Sequence, residues 1–482
     1  MDRRTFVRTA GLGLAGLAAG PAGAVLGQAR TRRPNIVLVL ADDLGYGELG
    51  CYGQKRVLTP RLDAMAREGL RFTGAYTGSP VCAPARCCLL TGRHSGHAFI
   101  RDNVEVGTWE SFEGQLPLPA GTETVASMLK RAGYATGVFG KWGLGGVGST
   151  GDPLALGFDT FFGYNCQRHA HNYYPRYLVD GREKLVLEGN TGGATGRQYA
   201  PELIAGRMLD FIRANKDRPF FLFHSTTLPH LALQAPQEEV DRYKGRWPET
   251  PYSGTSYQLH PTPRACYAAM IGILDKHVGR VLDLLKELNL DKDTLVVFTS
   301  DNGPTHVKDQ VDTEFFESAG PLRGLKGSVY EGGIRVPLIA RWPGRVEAGS
   351  VSGLPVAHYD IMATLAELAA AKPAAPTDGL SFLPTLGGHP GRQKKHDFLF
   401  WDFAGYGGQL AVRAGRWKGV KRDLQKRPEA PLEVYDLDED PAEMYDVARD
   451  SPEVAARLED IMLRAREKPA VEKFRFGRYR DL

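Results

Sequence analysis

The 482-residue chain carries little net charge: 60 Lys and Arg stand against 56 Asp and Glu, a formal +4. So small an excess gives no electrostatic argument for nucleic acid as a partner. Cysteine is scarce as well. The six residues Cys51, Cys82, Cys87, Cys88, Cys166 and Cys266 are too few for a disulfide framework. No internal repeat and no low-complexity tract occurs, and the 57 glycines and 31 prolines are spread along the chain, which excludes repeat, collagenous and disordered classes. What remains is ordinary globular composition, 42% hydrophobic and 24% charged. At roughly 150 residues per domain, the length allows two or three domains, or one large α/β core with an appendage.

The first thirty residues do not read as part of that body. Arg3 and Arg4 precede Phe6-Val7 and a run rich in Leu, Gly and Ala, the pattern of a twin-arginine export signal. The run has too much glycine and no polar face for a buried first helix. It is also short and broken by Pro21, which argues against a membrane anchor. Residues 1–29 are therefore expected to be a signal peptide cleaved after Ala24 or Ala29. The twin-arginine export machinery is the implied partner, and the mature protein would be periplasmic or secreted, with no membrane anchor. The leader holds +2 of the formal charge, so the mature chain is close to neutral. Three cysteines fall within seven residues, but Cys82-x4-Cys87-Cys88 lacks the paired spacing and second ligand pair of a zinc site.

Four apolar runs end in polar clusters. Ile36 to Leu40 stops at Asp42-Asp43, Ala135 to Phe139 at Gly140-Lys141-Trp142, and Phe220 to Phe223 at His224, followed by Pro229-His230. Leu295 to Thr299 stops at Ser300-Asp301-Asn302-Gly303. Apolar runs of this kind suit strands buried on both faces of a parallel sheet. Helical segments alternate with them: Thr59-Pro60 to Arg67, Thr124 to Arg131 ahead of Gly133, and Thr262-Pro263 to about Leu288. The order predicts an α/β fold with a mostly parallel sheet sandwiched by helices, whose ligand site lies at the carboxyl ends of the strands.

Each cluster alone has a plain structural reading as a turn, a packed loop histidine or a surface lysine; their shared position at strand ends is what points to one site. Asp42, Asp43, Asp301 and Asn302 offer only oxygen ligands, which suit Ca²⁺ or Mg²⁺ rather than zinc or copper. Three carboxylates held together would repel one another without a divalent ion. A cation with Arg86, Lys141, His230 and Lys326 makes a concentrated positive pocket, so the substrate group is expected to be an anion.

The segment Cys82-Ala-Pro-Ala-Arg86-Cys-Cys-Leu-Leu-Thr91-Gly-Arg93 resembles the signature of type I sulfatases, members of the alkaline phosphatase superfamily, and the resemblance to arylsulfatase-like members extends further. It takes in Asn35 to Asp43, Gly140 to Gly145, Pro229-His230, Asp301-Asn302-Gly303, the run from Lys326 to Pro337, and Tyr435 to Pro441. It implies an alkaline-phosphatase-like catalytic domain over residues 30–370. A smaller α+β subdomain over 371–482, with a short antiparallel sheet and a terminal helix, would follow. It also implies oxidation of Cys82 to formylglycine by a formylglycine-generating enzyme. One oxygen of the hydrated aldehyde would attack sulfur, and the second hydroxyl would expel sulfate by elimination, which a serine could not do. Pro84 suits the first turn of a helix, so residue 82 would sit where the dipole favours an anion. By the same resemblance Asp42, Asp43, Asp301 and Asn302, with residue 82, bind the cation. Arg86 supports the nucleophile, Lys141 and Lys326 hold sulfate oxygens, and His230 protonates the leaving group.

One position departs from the family pattern. Where the family reads Gly-Lys-Trp-His, this chain has Gly140-Lys141-Trp142-Gly143, so the histidine expected to take a proton in the elimination step is absent. His169 and His171 are the candidate replacements. They lie in a segment from Tyr164 to Tyr174 that resembles the family's active-site rim, and Gln167 and Arg168 in it are expected to bind substrate. The function expected is hydrolysis of a sulfated carbohydrate or aryl sulfate. Two alternatives stay open: a phosphonate or phosphodiester hydrolase of the same superfamily, and a silent binder of sulfated glycans.

Overall fold

In the computed structural model, residues 33–107, 114–254 and 256–479 are described; the expected export segment, residues 1–29, lies outside them. A ten-stranded sheet organises the fold. Its strands lie in the order Ser350–Ser352, Leu70–Phe72, Leu338–Arg341, Thr294–Ser300, Asn35–Ala41, Phe220–Ser225, Ala135–Lys141, Thr160–Tyr164, Tyr177–Asp180 and Glu183–Val186. The five from Thr294–Ser300 to Thr160–Tyr164 are mutually parallel, and antiparallel pairings begin on either side of them.

The strand Asn35–Ala41 is apolar throughout because both its faces are buried. Val37, Val39 and Ala41 pack into one core, and Ile36, Leu38 and Leu40 into the other. Helices Ala200–Ala214 and Pro263–Glu287 cover the first face. The second is covered by Cys82–Thr91, Val125–Arg131 and Asp360–Leu368. Thr124 caps its helix through the Ser127 amide, and Pro263 opens the 25-residue helix at its first position, where the missing N–H costs nothing. The expected α/β sandwich is the fold observed.

A second, four-stranded antiparallel sheet runs Leu399–Phe403, Gln409–Ala414, Trp417–Lys421 and Glu433–Asp436. Helix Pro452–Arg464 covers it through Leu458, Ile461 and Met462. From this sheet the buried Lys418 ammonium reaches Glu331 and Glu443, each at 2.8 Å, and so ties the sheet to the segment that carries Lys326.

Candidate active site

The four parallel strand ends deliver their polar residues to one place. Asp42 and Asp43 follow Asn35–Ala41, Lys141 closes Ala135–Lys141, Ser225 closes Phe220–Ser225, and Asp301 and Asn302 follow Thr294–Ser300. Asp43 turns the chain with a left-handed backbone, φ 62°, which a short acidic residue tolerates, and its N–H donates to Asp301 Oδ1 at 3.1 Å.

Cys82 is the first residue of the wholly buried helix Cys82–Thr91, and Pro84 lies in its first turn. Its thiol donates to Asp42 Oδ1 at 3.5 Å. One helical turn on, Arg86 donates to Asp301 Oδ2 at 2.7 Å and to Ser225 Oγ, and lies 3.6 Å from Asp42. Lys141 Nζ donates to Asp42 Oδ2 at 2.7 Å, and Lys326 Nζ to Asp43 Oδ2 at 2.8 Å. His230 Nε2 lies 3.6 Å from Asp43 Oδ2, while its Nδ1 donates to the Leu231 carbonyl at 2.5 Å, which leaves Nε2 toward the cluster. The structure therefore brings together Asp42, Asp43, Cys82, Arg86, Lys141, His230, Asp301, Asn302 and Lys326.

Burial works against the charged form of Asp42, yet Lys141, His230 and Arg86 together hold its carboxyl well below the usual range. Asp301 goes the other way: burial, with Asp42 beside it, pushes it up to about 7. Burial also pushes the Cys82 thiol up. For Lys326, burial opposes the charge, but Asp43 outweighs it and raises the ammonium well above its ordinary value.

The four rim residues separate. His171 stacks on His230 and meets Tyr257 edge-on. His169, two residues away on the same 3-10 turn, faces elsewhere. Its Nδ1 accepts from the Asn165 N–H at 3.3 Å and its Nε2 meets the Tyr177 carbonyl at 2.9 Å, so neither nitrogen is directed at the cluster. Arg168 is held at Glu105 Oε2, 2.7 Å from its Nε. Gln167 is buried against Gly143.

Two contributors escaped the sequence reading. Ser225 Oγ bridges Arg86 and the Lys141 carbonyl, 2.6 Å away. The Tyr173 hydroxyl meets the Thr227 and His230 carbonyls at 2.6 and 2.7 Å and shapes the His230 loop. Ser225 has a legible signal, since it ends the run that begins at Phe220, and Tyr173 lies in the rim-like segment, although nothing there marks its hydroxyl for the His230 loop. A second cluster, His94, His97 and Asp378, has metal-like spacing. There the Gly96 N–H donates to His94 Nδ1 at 3.1 Å, which leaves the proton on Nε2 and no lone pair for a metal.

The chain matches two family profiles, one described as Sulfatase over residues 34–371 and one as N-sulphoglucosamine sulphohydrolase, C-terminal, over residues 325–468. It is 35% identical over 416 residues to human arylsulfatase A, covering 81% of this chain and 75% of that protein. It is 32% identical over 457 residues to mouse steryl-sulfatase, covering 80% and 69%. Among solved structures, Ps i-CgsB in complex with k-i-k-neocarrahexaose superposes with a TM-score of 0.76 at 26% identity, covering 91% of this chain and 94% of that one. The sheet defines an α/β fold that gathers buried acidic and basic side chains at the carboxyl ends of its parallel strands. The chain belongs to the sulfatase family of the alkaline phosphatase superfamily, which makes it a sulfuric ester hydrolase.

Proposed function

We propose that the chain hydrolyses a sulfated carbohydrate or aryl sulfate to the alcohol and inorganic sulfate, through a formylglycine made from Cys82 and with Ca²⁺ or Mg²⁺ in the site. The observation that carries this reading is the place of residue 82: buried at a helix start, 3.5 Å from Asp42 Oδ1, with the charges of Lys141 and Lys326 acting on it. A thiol whose pKa is raised by burial stays protonated and is a poor nucleophile there. A hydrated aldehyde at the same position has hydroxyls that the surrounding cations activate.

The donor set fits a hard cation. Asn302 Oδ1 is buried without a hydrogen-bond partner among the described residues, while its Nδ2 donates to Asp43 Oδ1 at 2.8 Å. Ligand atoms of Asp42, Asp43 and residue 82 lie within 4.8 Å of one another, and Asp301 and Asn302 are both hydrogen-bonded to Asp43. Asp42, Asp43, Asp301 and Asn302 would hold the ion together with an oxygen on residue 82. When bound, Ca²⁺ supplies positive charge that favours the ionised nucleophile and neutralises the transferring group.

The chain's own groups do the rest. Lys141 and Lys326, tied to Asp42 and Asp43 as described, are placed to turn toward sulfate oxygens once those carboxylates serve a cation. Arg86 keeps Asp301 and the start of its helix in register with them. His230, oriented by Leu231, presents Nε2 to the leaving oxygen. Burial and Lys326 push this imidazole down to about 4, and the negative charge of a bound ester acts in the opposite direction. His171, beside His230, is the proposed proton acceptor in the release of sulfate.

The domain limits 30–370 and 371–482, maturation by a formylglycine-generating enzyme, and export by the twin-arginine route belong to the same proposal. The profile over 34–371 ends close to the first of these limits, while the profile over 325–468 begins before it. Among the described residues, no helix is long and apolar enough to cross a membrane. Turnover of paired sulfate and phosphate esters of one alcohol tests the reading: preference for the sulfate supports it, and preference for the phosphate replaces it with phosphorus ester hydrolysis.

A further inference from the structure

Gly143 takes a backbone conformation open to any residue, for it is not among the glycines with positive φ. Its lack of a side chain is therefore not explained by its φ, and the explanation is space. A Cβ placed on Gly143 would lie 2.9 Å from Gln167 Nε2, 3.5 Å from Arg86 Cδ and 3.6 Å from Gln167 Cγ. The Gln167 side chain thus occupies the ground that a residue larger than glycine would take at position 143. Its backbone is fixed there, since the Gln167 N–H donates to Gln115 Oε1 at 3.1 Å.

Gln167 is 4% exposed, and its Nε2 has no hydrogen-bond partner among the described residues. Arg86, whose Cδ lies 3.5 Å from that same Cβ position, also has its Nε buried without a partner among the described residues. Buried donors in native structures are nearly always paired because an unpaired one is costly, so two of them around Gly143 mark a place for an acceptor. An amide N–H donates and does not accept a proton near neutral pH, so Gln167 does not stand in for a missing base.

We propose that Gly143 and Gln167 act as a pair: the glycine admits the Gln167 amide, which donates a hydrogen bond to an anionic oxygen at the reacting centre. This rests on the sulfatase reading and adds a donor to it. The oxygen belongs either to the sulfate group or to the modified residue 82, and both present the same acceptor chemistry.

The test titrates inorganic sulfate by calorimetry, with Ca²⁺ present, into protein carrying the Cys82 thiol, and measures aryl sulfate turnover on the aldehyde-bearing enzyme. Gln167→Leu removes the donor at similar volume, and Gly143→Ala pushes the amide aside through one methyl group. Each variant should lose about 10- to 100-fold, as expected for a hydrogen bond to a charged oxygen. The double variant should be no worse than Gln167→Leu. Only the end of a flexible side chain has to move, so melting temperatures should stay near that of the parent. Loss of both sulfate affinity and turnover assigns the acceptor to the sulfate, and loss of turnover alone assigns it to residue 82. Unchanged affinity and turnover in both variants overturns the pairing. A parent protein that neither binds sulfate nor cleaves the ester would overturn the functional reading itself, and the pairing with it.

Discussion

The rings of His171 and His230 lie stacked, with centroids 4.9 Å apart and planes 11° from parallel. Two imidazoles so placed do not carry a charge each without strong repulsion, so one is neutral whenever the other is protonated. Burial and the His230 charge both lower the pKa of His171. In the proposed reaction the pair would divide the proton work: His230 would bring a proton to the leaving oxygen, and neutral His171 would be free to accept one.

Replacing His171 with Ala should slow sulfate release more than alcohol release. Pre-steady-state measurements on an aryl sulfate should show a burst of alcohol followed by turnover lowered about 100-fold or more, the usual size of a general-base contribution. His169→Ala should leave kcat within about twofold and lower thermal stability, because its ring is committed to Asn165 and Tyr177. A burst in the His169 variant and none in the His171 variant would reverse the assignment.

His230→Ala should discriminate between leaving groups. An alkyl or sugar alcohol needs a proton as it departs, whereas a nitrophenol does not. The loss in kcat/KM is expected to be at least tenfold larger for the sugar sulfate, and equal losses would show that His230 acts only by position.

Removal of the cation should cost both activity and stability. Treatment with a chelator is expected to abolish turnover, and Ca²⁺ at about 100 times its dissociation constant should restore it and add about 2.7 kcal/mol to unfolding stability. Full activity in demonstrably metal-free protein would dismiss Asp42, Asp43, Asp301 and Asn302 as ligands.

Lys141→Met makes a sharper version of the same point. Lys141 and Asp42 are both buried and lie 2.7 Å apart, so removing the ammonium leaves the buried carboxylate, among the described residues, with only the more distant Arg86 guanidinium, at 3.6 Å, and should cost up to about 3–5 kcal/mol in metal-free protein. With saturating Ca²⁺ beside Asp42 the destabilisation should shrink to a small fraction of that, as read by denaturant unfolding. A cost unchanged by Ca²⁺ would place the ion away from Asp42.

How far the sequence foretold this site depends on which interactions are local. The strand-end clusters were legible because an apolar run stopping at Asp42, Lys141 or Asp301 marks both a buried parallel strand and the edge where it emerges. The helix start at Cys82 was legible from Pro84. His169 and His171 were not separable, since two histidines two apart on a 3-10 turn point to different sides, and only Tyr177 and His230 reveal which is which. The flanking antiparallel strands, Leu338–Arg341 and Leu70–Phe72, have short unremarkable sequences whose pairing depends on residues more than 250 positions apart. Gln167 over Gly143 is likewise a contact between segments that follow different strands.

Everything proposed for the site depends on an aldehyde at residue 82, which mass spectrometry of the peptide containing it, taken from active protein, detects. The residue-82 thiol should be found replaced by an aldehyde oxygen, in a fraction that rises and falls with specific activity, and Cys82→Ala should fold but not turn over. Full activity in protein whose Cys82 is entirely thiol, or in Cys82→Ser, would contradict it.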